Sequence, residues 1–189
     1  MHVMHAVLSV SDKTGVVELG AGLRALGATV VSTRGTAELL RRAGVDATVI
    51  GDLSGVPELM GGRVRAFHHK IFGGLLYRRG NPADEVEARR HGIPRIDVLA
   101  CNFPDLTVDG PTSAFDTIDI GGPAMVRAAA KNFRSVLTVV DPADYEEVLR
   151  ALTAAAGDVA AVDPALRQAL ARKAFGRTAA YDRSIERLL

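Results

Sequence analysis

The sequence predicts an α/β fold with a mostly parallel sheet, because short apolar runs alternate with polar turns and helical periodicity. Residues 6–10 and 28–31 are mostly apolar, and each run is followed by a turn and then by apolar residues at spacings of three and four. Strands that alternate with helices pair in parallel and place their turns at one edge of the sheet, where ligands of open α/β folds bind. Those polar turns are therefore the first candidates for a functional site.

The composition excludes several classes of protein. The chain has 189 residues, of which 48% are hydrophobic and 24% charged, and a formal net charge of +1. These values are typical of a globular protein and disfavour a nucleic-acid binder or a disordered chain. No window approaches the run of about 20 apolar residues that crosses a membrane. We expect one domain over residues 1–189, in the cytoplasm.

Cys101 is the single cysteine of the chain. One cysteine excludes an internal disulfide and any cysteine-rich metal site. Its neighbours Val98, Leu99 and Ala100 are apolar, so a buried thiol on a strand is predicted.

Two turns rich in serine and threonine follow the first two predicted strands. The first contains Ser11 and Lys13 and precedes a helix that Ser11 or Asp12 could cap. Because parallel strands bring their carboxyl ends together, the two turns are expected to bind one sugar phosphate through hydroxyls, amides and a guanidinium. The alternative is that they simply cap helices. The second turn consists of Ser32, Thr33, Arg34, Gly35 and Thr36.

A basic segment follows at residues 62–74, with Arg63 and Arg65 ahead of two adjacent histidines and a Gly-Gly pair. It is predicted to be a loop that covers an anionic substrate, since arginine can donate several hydrogen bonds to one anion. A solvated basic loop is the alternative. Neighbouring His68 and His69 point apart on a strand, and no Asp, Glu or Cys lies nearby at ligand spacing, so metal binding is disfavoured.

The stretch IDIGGPAMVRAAAKN predicts a strand end, a turn and a short helix rich in alanine. Gly121 and Gly122 allow close approaches at the turn, and the free amides of the first helical turn could hold an anion. Arg127 and Lys131 are four residues apart and share a helical face, while Asp119 lies on the preceding loop. A carboxylate and two cations are therefore expected to converge. The alternative is an ordinary packed helix.

The remaining elements continue the strand and helix pattern. A loop is predicted between Asn102 and Asp119, and the chain ends in a helical run that begins at Asp163 and Pro164. Strands are predicted at 48–50, 96–102 and 136–140, a loop at 51–58, and a surface helix at 82–91.

Together these segments resemble the inosine monophosphate (IMP) cyclohydrolase domain, which is the N-terminal half of a bifunctional purine-biosynthesis enzyme. The motifs are SVSDKTG at 9–15, STRGT at 32–36, GRV at 62–64, IDIGGP at 118–123 and RAAAKN at 127–132, with KAF and TAAYD in the last helix. The resemblance implies a methylglyoxal-synthase-like three-layer α/β fold with a mostly parallel sheet and a helical C-terminal arm. It also implies a homodimer, no cofactor, no metal and no formyltransferase domain.

The implied reaction closes the pyrimidine ring of a 5-formamidoimidazole-4-carboxamide ribonucleotide to give IMP, with loss of water. Asp119 and Lys131 match positions that flank the closing ring, as proton acceptor and as partner of the oxyanion or leaving group. Matched substrate-binding positions, several of them around the phosphate, are Ser11, Lys13, Ser32, Thr33, Gly35, Thr36, Arg63 and Asn102.

The sequence also departs from the family pattern. Arg65 occupies the position of a catalytic lysine. Arginine keeps the charge but, with a pKa above about 12, is a poor proton shuttle, so electrostatic stabilisation is expected of it. Phe103 and Pro104 follow Asn102 where the family has a tyrosine, and Arg34 replaces a glycine. Two other functions stay open: a paralogue acting on a related ribonucleotide, for instance in nucleoside antibiotic biosynthesis, and a non-catalytic nucleotide-binding module.

Overall fold

A five-stranded parallel sheet forms the centre of the computed structural model, which describes residues 3–104 and 117–189. The strand order is β3-β2-β1-β4-β5, and every neighbouring pair is parallel. The strands are β1 (His5–Val10), β2 (Thr29–Ser32), β3 (Thr48–Val49), β4 (Ile96–Asn102) and β5 (Leu137–Val139).

Helices cover both faces of this sheet. Successive side chains of a strand point to opposite faces, so Leu8 of β1 joins one apolar core and Val7 the other. The helices are α1 (Val16–Ala25), α2 (Arg34–Arg42), α3 (Ile50–Ser54), α4 (His69–Leu76), α5 (Pro82–Arg90), α6 (Gly121–Lys131), α7 (Tyr145–Ala154) and α8 (Pro164–Glu186).

The two cores define three layers. Leu19 of α1, Leu40 of α2 and Leu152 of α7 pack into the core that contains Leu8. Residues of α4, α6 and α8 form the core on the opposite face, with Val7 of the sheet. The predicted three-layer α/β fold with a parallel sheet and a C-terminal helical arm is confirmed.

The strand order places a topological switch point between β1 and β4. From β1 the chain proceeds outward to β2 and β3, and then returns to place β4 and β5 on the other side of β1. Connections therefore leave the carboxyl ends of β1 and β4 in opposite directions, which opens a crevice where ligands of such sheets bind.

Two predicted loops contain helices instead. Residues 51–58 were expected to be a loop, but α3 occupies Ile50–Ser54, where Ile50 is buried and the hydroxyl of Ser54 donates to the carbonyl of Gly51. The second half of the basic segment is helix α4, and the side chain of His68 caps it by accepting from the amide of Lys70 at 3.2 Å. Short apolar stretches carry too little periodicity to reveal such helices.

The cap predicted for α1 is also wrong. Helix α1 follows Gly15, which adopts φ 66° and provides no side-chain cap. The carboxylate of Asp12 instead accepts from the amide of Thr14 at 2.9 Å, within the turn itself. The predicted loop over 105–116 lies outside the described residues. Among those that are described, no helix is long and apolar enough to cross a membrane.

Candidate active site

Asn102 joins the two strands that flank the switch point. It is the last residue of β4, and its Oδ1 accepts hydrogen bonds from the amides of Ser11 at 2.7 Å and Asp12 at 2.8 Å. Its Nδ2 donates to the carbonyl of Asp12 at 3.2 Å. The turn after β1 is thus held against the end of β4, which brings together Ser11 and Asn102, two of the matched substrate-binding positions.

Lys13 connects this turn to the turn after β2. Its Nζ donates to Oγ1 of Thr36 at 2.6 Å and also to the carbonyl of Val10. Partial burial lowers the pKa of Lys13. Thr36 lies in the first turn of α2, where the backbone amides have no intrahelical partner. The predicted juxtaposition of the two turns is confirmed, and it places a cation beside a helix N-terminus.

The other residues of the second turn differ in exposure. Ser32 is fully buried, and its hydroxyl donates to the carbonyl of Leu8 at 2.6 Å, so this group links two strands. Thr33 is the N-cap residue of α2. Arg34 is exposed and lines a cavity of about 340 Å³ together with Asp52 and Glu58. Ligand binding by Ser32, Thr33, Arg34 and Gly35 remains a prediction.

Asp119 caps the N-terminus of α6. Its Oδ1 accepts from the amide of Gly122 at 2.9 Å. A Cβ atom on Gly122 would lie 2.4 Å from Oδ2 of the same carboxylate, so only glycine permits this arrangement. The amide of Asp119 donates to the phenol oxygen of Tyr181 on α8 at 2.9 Å. The carboxylate is therefore fixed at the start of the helix.

The start of α6 packs against the end of β4. Sγ of Cys101 lies 3.8 Å from the carbonyl of Gly122. Cys101 is 1% exposed, as predicted, and burial raises the pKa of its thiol. A protonated, inaccessible thiol is structural. The neighbouring Asn102 extends from the same strand end towards the switch point.

Lys131 and Asp119 are at opposite ends of α6. Lys131 is the last residue of this helix, and its 11 residues at about 1.5 Å each separate its ends by about 15 Å. The side chain of Asn132 donates to the carbonyls of Leu75 at 2.8 Å and Tyr77 at 3.2 Å, so this end packs against the end of α4. The expectation that Asp119 and Lys131 converge is wrong within one protomer.

Arg127 also lies away from Asp119. Its guanidinium carbon is 5.8 Å from the ring centroid of Phe175 on α8, and its residue is exposed. Arg127 and Lys131 therefore both lie on the exposed side of α6, as the sequence predicted, but this side does not face the carboxylate of Asp119.

The basic segment approaches the start of α6 through Phe67, which the sequence analysis did not single out. Its ring stacks on Phe72 with centroids 5.8 Å apart, and it lies 3.7 Å from the position of a Cβ on Gly121. Phe67 is 45% exposed. The sequence signal that could have identified Phe67 was its place as an aromatic residue within a basic segment. Arg63 and Arg65 are exposed, and Nε of Arg65 donates to the carbonyl of Gly62 at 2.6 Å.

A cavity of about 470 Å³ opens beside the switch point. Lys173 lies at its wall and forms ion pairs with Asp141 at 2.7 Å and Asp144 at 2.8 Å. Among residues 3–104 and 117–189, no group of three or more potential ligand side chains could hold a metal ion. The lining residues are Ser11, Asp12, Asn102, Phe103, Pro104, Val140, Asp141, Pro142, Lys173 and Arg177.

Comparison with protein families agrees with this architecture. Residues 15–126 match the model of the MGS-like domain, which covers the turn after β2, β4 and the start of α6. The chain belongs to the MGS-like domain family. Residues 129–189 of this MGS-like chain match the model of the AICARFT/IMPCHase bienzyme. The resemblance drawn from the motifs is confirmed.

Individual relatives point the same way. The MGS-like chain is 46% identical over 193 residues to the bifunctional purine biosynthesis protein PurH of Magnetococcus marinus, with 99% of this chain and 36% of the relative covered. It is 47% identical over 185 residues to PurH of Dinoroseobacter shibae, covering 95% and 34%. The chain thus spans about a third of the length of these relatives.

A solved structure matches over nearly its full length. The crystal structure of ForH superposes with a TM-score of 0.92 at 45% sequence identity, and the match covers 99% of this MGS-like chain and 98% of that chain. The similarity to PurH and to ForH thus extends over almost the whole of this chain.

Proposed function

We propose that this protein closes the pyrimidine ring of 5-formamidoimidazole-4-carboxamide ribonucleotide to form IMP, with loss of water. The observation that carries the proposal is a pair of features: Lys13 meets Thr36 at the start of α2, and the carboxylate of Asp119 is fixed at the start of α6, which packs on the end of β4. A ribonucleotide has an anionic phosphate at one end and a planar ring at the other. We call these two parts of the site the phosphate end and the ring-closing end.

The phosphate end consists of Lys13, Thr36 and the first turn of α2. The 2.6 Å contact between Nζ of Lys13 and Oγ1 of Thr36 puts a positive charge at a helix N-terminus. Free amides and the helix dipole there favour an anion, and a lysine adds a charge-assisted hydrogen bond. This combination supports a phosphate monoester as the group that is bound.

The ring-closing end consists of Asp119, the glycines that begin α6, Arg65 and Phe67. In the proposed reaction, the carboxylate of Asp119 accepts the proton from the carboxamide nitrogen as that nitrogen attacks the formyl carbon. The guanidinium of Arg65 stabilises the negative charge that develops on the formyl oxygen. This oxygen takes up the proton that Asp119 accepted and then leaves as water with the proton of the former formamide nitrogen, which forms the C=N bond of the ring. Binding one folded conformer of the substrate supplies the orientation that the reaction needs.

Lys131 completes this site from a second copy of the chain. Within one chain α6 separates it from Asp119 by about 15 Å, a distance that one small ring does not span. Lys131 is exposed at the end of its helix. A symmetric dimer that brings this end of α6 over the partner's Asp119 would let both residues act on one substrate. In this arrangement the predicted homodimer is required for catalysis, because each active site takes residues from both subunits.

Mixing two inactive variants tests the shared site. Asp119→Asn and Lys131→Ala homodimers should each lack activity. After subunit exchange, half of the dimers are mixed and each holds one intact site, so about a quarter of the wild-type activity should return. Absence of any recovery, with exchange verified by mass spectrometry, would contradict a site shared between subunits.

A paralogue that acts on a related ribonucleotide is the second candidate. Arg65 favours it, because this residue replaces a titratable lysine and its Nε is engaged by the carbonyl of Gly62 at 2.6 Å. Phe103, buried beside Asn102 where the resemblance would place a tyrosine, favours it as well. Under this alternative the phosphate end is unchanged and the ring-closing end accepts a different heterocycle.

The deciding experiment supplies the purified protein with 5-formamidoimidazole-4-carboxamide ribonucleotide and follows IMP by mass and by absorbance. Rapid IMP formation that Asp119→Asn abolishes would support the ordinary reaction. Tight binding of the substrate without conversion would instead favour a related ribonucleotide as substrate or a non-catalytic nucleotide-binding role. Failure to bind either the substrate or IMP would overturn both candidates.

A further inference from the structure

Tyr181 links the C-terminal helix to the ring-closing end. It lies on α8, is 2% exposed, and its phenol oxygen accepts a hydrogen bond from the amide of Asp119 at 2.9 Å. Asp119 precedes α6 and so has no helical hydrogen bonds of its own to fix its backbone. The bond from its amide to Tyr181 and the bond from Gly122 to its carboxylate are therefore the contacts that orient it.

Arg177 acts on the same helical face, four residues earlier. Its Nη2 donates to the carbonyl of Phe103 at 3.2 Å, and its guanidinium carbon lies 5.1 Å from the centroid of the Phe103 ring. The ring of Tyr181 packs on the same phenylalanine, with centroids 4.7 Å apart at 57°. One turn of α8 thus contacts Phe103 through Arg177 and Tyr181, and it contacts Asp119 through Tyr181.

We propose that Tyr181 is a positioning residue, which fixes the backbone at Asp119 so that the carboxylate meets the substrate in a single orientation. The inference rests on the proposed function. A shift of about 1 Å in a catalytic group can lower a rate about 100-fold, so a single hydrogen bond to the amide of Asp119 has a large effect on turnover.

A direct chemical role for Tyr181 is disfavoured by its surroundings. Burial raises the pKa of its phenol, so the group stays protonated at neutral pH. Its 2% exposure leaves no surface for a substrate. Its effect therefore passes through Asp119, and it should appear in the turnover number rather than in substrate affinity.

The test compares Tyr181→Phe with a matched control, Thr178→Val. Thr178 lies on the same helix and is fully buried, but its hydroxyl donates to the carbonyl of Phe175 and does not reach Asp119. Tyr181→Phe should lower kcat about 100-fold with KM changed less than about twofold, because only orientation is lost. Thr178→Val should keep both constants within about twofold of the wild type.

A second readout is independent of turnover. In ¹⁵N-labelled protein, the amide of Asp119 should exchange with solvent about tenfold faster in Tyr181→Phe than in the wild type, because its acceptor is lost. The amides of α6 should exchange at unchanged rates. Thr178→Val should leave the amide of Asp119 unchanged.

The outcomes distinguish a failure of the proposed reaction from a failure of the positioning role of Tyr181. If the wild-type protein fails to form IMP, the proposed reaction is wrong, and the exchange rate of the Asp119 amide still decides whether Tyr181 fixes this backbone. Unchanged exchange would overturn the positioning role, as would a normal kcat in Tyr181→Phe. Equal losses of kcat in Tyr181→Phe and Thr178→Val would also overturn it, because they would indicate a general effect on α8.

Discussion

At the phosphate end the predicted residues touch each other, whereas at the ring-closing end they are distributed over separate elements. Lys13 bonds directly to Thr36, and both belong to turns that leave neighbouring parallel strands. Asp119 begins α6, Lys131 ends it, and Phe67 belongs to the segment before α4. Parallel strands place the turns that follow them at one edge of the sheet. The ring-closing end depends instead on how helices and whole subunits pack.

Removal of the proposed base gives the largest expected effect. Asp119→Asn should reduce kcat about 1,000-fold, within the range that general-base residues contribute. Asparagine offers the same Oδ1 acceptor, so it can keep the bond from the amide of Gly122, and the melting temperature should change little. Steady-state kinetics and thermal unfolding provide the check. A variant that folds normally and retains full activity would remove Asp119 from the chemistry and leave only its capping role.

Substitution of Lys13 should weaken the binding of the phosphate group and leave the binding of the base unchanged. Lys13→Ala should weaken the binding of IMP about 30- to 100-fold, the value of one hydrogen bond to a charged group. Binding of inosine, which lacks the phosphate, should stay the same. Calorimetric titration of both ligands makes the comparison. Equal losses for IMP and inosine would place Lys13 at the ring instead of the phosphate.

The same residue predicts a pH dependence. Since partial burial lowers the pKa of Lys13, the free protein loses this positive charge at a lower pH than an exposed lysine would. The affinity for IMP should therefore be fully present below that lowered pKa and decline as the pH rises through it. Lys13→Arg should keep the affinity to higher pH. An alkaline decline at the same pH in both proteins would assign it to another group.

Truncation of Phe67 should have a smaller effect, confined to the ring-closing end. Phe67→Ala should weaken IMP binding about tenfold, because base stacking on an aromatic ring contributes about 1–3 kcal/mol. Ribose 5-phosphate should bind equally to variant and wild type. Phe175→Ala is a matched control, since Phe175 is another exposed aromatic residue at 40% but lies on α8. A loss for ribose 5-phosphate as large as that for IMP would contradict stacking.

The sequence predicted that the turns after β1 and β2 meet, because the signals for this arrangement are local. Strand, turn and helix are consecutive in the chain, and parallel pairing dictates that the turns after β1 and β2 meet. The strand order also follows the open α/β pattern that places Asn102 across from Ser11. The juxtaposition of the two turns needed no information beyond this topology, whereas the contact of Lys13 with Thr36 was not predicted.

The ring-closing end was harder to predict because its contacts join residues far apart in the chain. Tyr181 and Asp119 are separated by 62 positions, and nothing in the periodicity of α8 marks one tyrosine as a partner of that loop. The expected convergence of Asp119 with Lys131 failed because Asp119 precedes the first turn of α6 and Lys131 ends its last turn, so the length of the helix separates them. Helix α3 was missed because five residues carry too little periodic pattern.

The side chain of Asn102 holds the turn after β1 through backbone atoms alone, the amides of Ser11 and Asp12 and the carbonyl of Asp12. The shape of that turn is therefore independent of which side chain position 11 presents to the crevice. Ser11 is exposed and lines the 470 Å³ cavity. A directed-evolution library at this position can vary size, charge and polarity while the scaffold beneath it stays constant.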